Sequence, residues 1–237
     1  MMSFFTRIPM PRVEWEEQTY KKGVIFLPFI GLLLGAILYG MSLLLAFQPR
    51  LPKGIILYFL YIALTGGMHM DGVADSVDAL FSAREKEEQW RILKDPAVGP
   101  FGVVGLILIS LFYVYLFDEH KIAILMMPLV GRVIAMCVSY RQESYNPDGL
   151  GRMFFDAVKL PHLIIGLALV AGLSIWLLGI RSLAAFGIAL LVSLSVIDTI
   201  KKRWGGLSGD AIGLIFELST IIYGLSLLLG GAFCMLF

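Results

Sequence analysis

The sequence predicts an all-α protein, a polytopic integral membrane helical bundle with about seven transmembrane helices and a cytoplasmic N-terminus. Three observations lead there. Hydrophobic residues make up 58% of the 237-residue chain and charged residues only 16%, and the mean hydropathy of +0.84 exceeds that of an ordinary soluble domain. Seven apolar runs approach the length needed to cross a bilayer. Lysine and arginine are concentrated in alternate connections between them.

The runs fall at residues 24–47, 54–70, 101–117, 122–140, 162–179, 182–200 and 211–233. The second is the shortest, and Thr65, Gly66 and Gly67 near its end suit close helix packing. Very short connections, at residues 118–121 and at Ile180 and Arg181, make tight helical hairpins of the third with the fourth run and of the fifth with the sixth. With the N-terminus inside, the inner segments carry fourteen basic residues, beginning with Arg7, Arg12, Lys21 and Lys22. The outer ones carry four, Arg50, Lys53, Lys121 and Arg181, while Arg132 lies within a run. Basic residues are retained on the cytoplasmic side, so the long polar connections face inward. The expectation is one membrane-embedded catalytic domain, residues 1–237, with cytoplasmic catalytic loops at about 69–100, 141–161 and 201–210.

Composition also excludes. Nineteen basic against eighteen acidic residues is not the surplus of a nucleic-acid binder. Cys137 and Cys234 stand far apart in apolar runs, which supports neither a disulfide framework nor a zinc site. The opening segment has no apolar core long enough for a cleavable signal and reads as cytosolic or interfacial.

The most informative segment is HMDGVADSVD, residues 69–78. On a helix, Asp75 lies about 40° and Asp78 about 20° from Asp71, so the three carboxylates form one stripe, which Ser82 continues. Like charges so close repel, and a cation should compensate. Oxygen donors without cysteine or paired histidine suit magnesium, with manganese as a substitute, and such an ion also bridges to phosphate. The bland reading, one helix cap and two solvated acids, suits a single aspartate better than three in a row. His69 points to the other side of an unbroken helix, where it can orient a carboxylate or contact substrate.

Residues 79–95, ALFSAREKEEQWRILKD, read as an interfacial helix with Leu80, Phe81, Trp90 and Leu93 available for the bilayer or the bundle. Arg84 and Arg91, seven apart, share its face and suit a diphosphate clamp, or are ordinary inner-face charges. The turn DPAVGPFG, residues 95–102, leads into the third run, and Asp95 either caps that helix or completes the acidic site. Lys201, Lys202 and Arg203 run into the glycine-rich turn Gly205-Gly206 and a helix N-terminus, an arrangement that favours anions; Ser208 or Asp210 serves there as a cap in the simpler account. Glu217 lies two turns deeper on the face of Asp210, and an acid inside a span usually serves function; Arg132 is a candidate partner. Asp198 suits an ion pair with Lys201 or Lys202. The spacing Gly66-Gly67 to Asp71 echoes Gly205-Gly206 to Asp210, two similar local solutions rather than a repeat.

Nearly the whole chain resembles the cobalamin synthase family, the adenosylcobinamide-GDP ribazoletransferases. The resemblance shows in FFTRIPMP (4–11), GGMHMDGVADSVDALFSAR (66–84), ILKDPAVGPFG (92–102), PDGLG (147–151) and RWGGLSGDAIGLIFEL (203–218). The family more often has glycine where this chain has Ala79, and an acid where it has Thr220. The resemblance implies a magnesium-dependent enzyme of the cytoplasmic (inner) membrane. It joins adenosylcobinamide-GDP to alpha-ribazole or its 5'-phosphate and releases GMP. The expected metal ligands are Asp71, Asp75 and Asp78; Asp210 and Glu217 complete the catalytic set; His69, Arg84, Arg91, Asp95, Lys201, Lys202, Arg203 and Ser208 are expected to contact substrate. The partners are those two substrates and the lipid bilayer, with no nucleic acid, and a homo-oligomer is compatible with the sequence. Two alternatives differ in kind. A CDP-alcohol phosphotransferase would carry DG-x2-AR followed by G-x3-D-x3-D, whereas Val73-Ala74-Asp75 follow Asp71-Gly72 here. An ion-coupled transporter would use Asp198, Glu217 and Arg132, but the acids cluster at one membrane face rather than the midplane.

Overall fold

The computed structural model of the chain describes residues 2–11, 14, 16–119, 121–145 and 149–233. Arg12, Pro147, Asp148 and Cys234 lie outside the described residues. The elements are helical: α1 (Met2–Phe5), α2 (Glu17–Gly23), α3 (Leu27–Leu44), α4 (Arg50–Thr65), α5 (Met68–Phe81), α6 (Lys86–Ile92), α7 (Pro100–Glu119), α8 (Lys121–Ser139), α9 (Leu150–Ala157), α10 (Leu160–Leu177), α11 (Ile180–Trp204) and α12 (Gly209–Phe233). No strand occurs among the described residues, where Ser144 and Leu207 form an isolated bridge. Among the described residues six helices are long and apolar enough to cross a membrane, and the bent pair α4 with α5 passes the same test only when the two are taken together, as a broken span or a re-entrant turn. This is an all-α, multi-pass membrane protein.

The spans start and stop close to the apolar runs, with one correction. The second run ends at Thr65, not residue 70, because Gly66 and Gly67 take left-handed φ values of 70° and 64°. Only glycine adopts that conformation freely. The two successive turns set α5 at 98° to α4, so α5 runs along the end of the bundle instead of continuing through it. The interfacial helix expected over 79–95 is likewise broken: α5 stops at Phe81, Ala83 takes a φ of 53°, and α6 begins only at Lys86. Phe81 stays exposed, but Trp90 and Leu93 belong to the core.

Helix α8 is the centre of the bundle, buried along nearly its whole length, whereas α7, α10 and α11 present rows of exposed apolar side chains, among them Ile107, Leu111, Ile164, Trp176 and Leu191. Such rows are the surface a bilayer covers. Lipid supplies no hydrophobic drive between helices, so close backbone approach must hold the bundle. Small residues stand where it is needed: a Cβ on Gly35 of α3 would run into the Leu125 carbonyl of α8, and one on Gly54 of α4 into the Val114 carbonyl of α7. Gly35→Val is therefore expected to abolish recovery of monodisperse protein in mild detergent, whereas Gly40→Val, where the added Cβ meets nothing within 4 Å, should leave the melting curve close to wild type. At one end of the bundle, buried Lys53 pairs with Asp118 at 2.7 Å. Alternation of the spans brings α1, α2, α5, α6, α9 and the turn before α12 together at the other end.

Candidate active site

Helices α5 and α12 cross at glycines. A Cβ on Gly72 would stand 2.7 Å from the Asp210 carbonyl, and one on Gly213 3.3 Å from the His69 carbonyl. The sequence echo has a physical meaning here. Gly66 and Gly205, both left-handed, each end a helix, and Asp71 and Asp210 fall in the first turn of the helix that follows. Two similar breaks thus set two helix N-termini, each with an aspartate, against one another. Ser208 is the cap of α12, its Oγ accepting the Ala211 N–H at 3.1 Å.

The stripe on α5 is graded in depth. Asp71 is exposed, Asp75 half-buried and Asp78 only 5% exposed. Asp78 accepts the Gly99 N–H at 2.7 Å, which places its charge at the N-terminus of α7, where the helix dipole favours it. Asp95 is not that cap; its Oδ1 accepts the Ala97 N–H of its own turn at 2.9 Å. Burial pushes the Asp75 carboxyl up to about 7, and the carboxylates of Asp71, Asp210, Asp78 and Asp95 push in the same direction. The five acids share one field centred on Asp75. Among the described residues no three acids, histidines or cysteines converge tightly enough to cage a metal ion.

Behind the stripe lies a buried polar cluster. The Glu217 carboxylate, 1% exposed, accepts hydrogen bonds from Tyr61 at 3.0 Å and Tyr113 at 2.5 Å, and His69 Nδ1 stands 3.0 Å from it. The His69 ring stacks on Phe216, with centroids 4.2 Å apart and planes 4° off parallel. Arg132 faces the cluster across Phe216, its guanidinium 5.8 Å from the ring centre, and donates to the Pro128 carbonyl rather than pairing with Glu217. A cavity of about 180 Å³ opens beside His69, lined by Asp71, Asp210 and the rings of Phe4, Tyr20 and Phe154. Its neighbour, about 380 Å³, shares Gly151, Gly209 and Asp210 with it and adds Ser208, Lys94, Trp90 and Tyr145.

A family model described as cobalamin-5-phosphate synthase matches residues 1–228. The chain belongs to the cobalamin-5-phosphate synthase family. Three curated relatives named adenosylcobinamide-GDP ribazoletransferase support this: that of Alkaliphilus oremlandii is 36% identical, covering 95% of this chain and 94% of the relative. The Klebsiella pneumoniae relative is 34% identical over 96% and 97%, and the Clostridium botulinum relative 33% over 97% and 96%. No solved structure matches.

The segments that carry the resemblance meet at the one end of the bundle. Phe4 and Phe5 pack on Tyr20, His69, Phe154 and Phe216. Trp90 and Trp204 clasp α6 to the end of α11: Trp90 donates to the Trp204 carbonyl at 2.9 Å, and Trp204 to Gln89 at 2.7 Å. Tyr145 stacks on Trp90 at 3.9 Å.

The basic residues do not join the acids. Arg84 lies before α6 and cannot share a helical face with Arg91, which pairs with Glu88 at 2.5 Å. Lys201 donates to Gln142 at 2.9 Å and Lys202 pairs with Asp198 at 2.6 Å, as expected for Asp198. Arg203 bonds the Leu80 carbonyl and, with Arg84 and Lys86, lines an open groove of about 1150 Å³ on the flank of α5, between it and α11. Thr220 bonds the Phe216 carbonyl and faces Gly131. The residues missed were Tyr61, Tyr113, Lys94 and the aromatic walls. Tyrosine inside an apolar run is the one signal that could have found the first two.

Proposed function

We propose that the protein transfers the adenosylcobinamide-phosphate group from adenosylcobinamide-GDP to alpha-ribazole or its 5'-phosphate, with release of GMP, in nucleotide-loop assembly of cobalamin. The single observation that carries this is the family match over residues 1–228, joined to an acid field at the bundle end where the family's motifs meet. We place the protein in the cytoplasmic membrane with that end toward the cytoplasm, as the basic-residue asymmetry suggests.

The chemistry asked of the site is to neutralise a diphosphate, align two reactants and let a ribose hydroxyl displace GMP at phosphorus. Magnesium fits the donors. They are oxygens only, and Asp75 is a carboxyl under strain from four others. Magnesium needs only one or two carboxylates and completes its shell with water and phosphate. Asp71 and Asp75 are the side chains that would hold it, and its chemistry there would be charge neutralisation of the diphosphate. Asp78 holds α5 against the start of α7, and so sets the register of the other two. The N-terminus of α12 and Lys94 favour an anion in the adjoining cavity. The flank groove with Arg84, Lys86 and Arg203 has the size and charge to receive the bulky, phosphorylated corrinoid.

Purified protein reconstituted in liposomes, given adenosylcobinamide-GDP and alpha-ribazole, is expected to form GMP and cobalamin in equal amounts, and to stop in excess chelator. Turnover of a CDP-alcohol pair in a parallel reaction, without cobalamin formation, would overturn the assignment. Full turnover in chelator would remove the metal alone.

A further inference from the structure

His69 has two ring nitrogens with different fates. Nδ1 is spoken for by Glu217, which is itself held by two tyrosines. Nε2 is buried and has no hydrogen-bond partner among the described residues, in a side chain whose residue is 6% exposed. A buried polar atom left open costs stability unless something fills it. The ring cannot turn to find a partner, because it is stacked flat on Phe216 and fixed by Glu217. With Nδ1–H donating to the Glu217 carboxylate, the neutral ring offers a lone pair at Nε2, which a hydroxyl donor would satisfy.

His69 is one of the residues lining this cavity, and a donor that reaches its ring from there must fit within it. About 180 Å³ is close to the roughly 150 Å³ known to take up a single six-membered ring, enough for one sugar ring and too little for a corrinoid or a whole nucleoside. Its walls are aromatic, and the carboxylates of Asp71 and Asp210 stand at the same cavity. A ring bearing hydroxyls, presented next to the acids, satisfies all of these conditions.

We propose that this cavity receives the ribose of the acceptor and that His69 Nε2 accepts the hydrogen bond of its attacking hydroxyl, with Glu217 fixing the tautomer that makes this a one-way arrangement. The inference rests on the function proposed above and adds the residue that selects the acceptor. It assigns the orientation of the nucleophile to a histidine that touches substrate, and leaves Glu217 as a positioning residue.

Two amide replacements separate this role from a structural one. Asparagine places an N–H where Nδ1 stands, keeping the Glu217 partner and leaving nothing at Nε2; glutamine places an oxygen where Nε2 stands. In the reconstituted wild-type protein, cobalamin formation is checked first, and its failure counts against the proposed function, not this inference. His69→Asn is then expected to raise the KM for alpha-ribazole about tenfold, the size of one lost hydrogen bond, and to lower kcat, with the KM for adenosylcobinamide-GDP unchanged. His69→Gln should recover part of that loss. A His69→Asn enzyme with wild-type constants, or one with both KM values raised alike, overturns the proposal. A ribazole lacking the attacking hydroxyl gives a test that needs no variant: it should bind wild-type protein about tenfold more weakly than alpha-ribazole, and equal binding overturns the assignment even if His69→Asn does not fold.

Discussion

Replacing Asp75 with asparagine is expected to lower turnover by roughly 100-fold or more, the scale seen when a preorganised electrostatic group is removed, and at the same time to raise the melting temperature of the ligand-free protein. The two effects have one cause. Burial and four neighbouring carboxylates push the Asp75 carboxyl up to about 7. An acid whose folded pKa lies above its unfolded value destabilises the fold as pH rises from the ordinary carboxylate range, about 4, through the folded value, and the full cost is present above about 7. At pH 8 the charged side chain is thus a liability in the absence of a cation, and the neutral amide removes it. Asp75 is only partly buried, so the gain is a modest fraction of what full burial would bring. Added magnesium should reverse the ranking, stabilising the wild type and leaving Asp75→Asn unmoved. Melting curves at pH 8 with and without magnesium, beside turnover, check this; an Asp75→Asn protein with wild-type turnover would falsify the role given to the stripe. Trading stability for function in this way is common at sites built to bind charge.

How much of this was legible in the sequence depended on range. Apolar runs are local, and six of the seven appear as helices able to span the membrane, the second being the one that breaks at Gly66 and turns aside. The stripe is a property of one helix, and its three aspartates do share a face. What escaped detection lies between distant segments. Asp78 and Gly99 are joined across a break that no periodicity shows, so the acid expected to bind metal turned out to cap a helix as well. Lys201 and Lys202 look like an anion site in one dimension, yet Gln142 and Asp198 claim them. The clamp drawn between Arg84 and Arg91 assumed a continuous helix, which Ala83 interrupts with its left-handed backbone. Tyr61 and Tyr113 lie inside apolar runs, and their hydroxyls find a partner only when α4, α7 and α12 come together. The glycine pair was visible, but nothing nearby in sequence says that a span turns 98° there.

The carboxylate those tyrosines meet should dominate the stability of the bundle. Glu217→Ala is expected to destabilise the protein by about 3–5 kcal/mol, the range for removing one member of a buried charge arrangement, whereas Tyr113→Phe should cost only about 0.6 kcal/mol, the usual worth of one interhelical hydrogen bond in a membrane. The difference decides what the cluster is for. If hydrogen bonds alone held it together, losing three weak ones would cost only about 2 kcal/mol. Arg132 makes the case different: its Nε and one terminal nitrogen lack partners among the described residues, it is fully buried, and the anion at Glu217 is the charge that offsets it. Removal leaves a guanidinium uncompensated in a medium that cannot solvate it. Glu217→Gln should fall between the two, because the amide keeps the volume and one acceptor but turns an N–H toward groups that are themselves donors. Equilibrium unfolding in detergent, followed by tryptophan fluorescence, measures all three. Adding Arg132→Met to Glu217→Ala should restore much of the loss, since charge and counter-charge then leave together. A double variant no more stable than Glu217→Ala would mean that the tyrosine and histidine bonds, not the buried charge, hold this core.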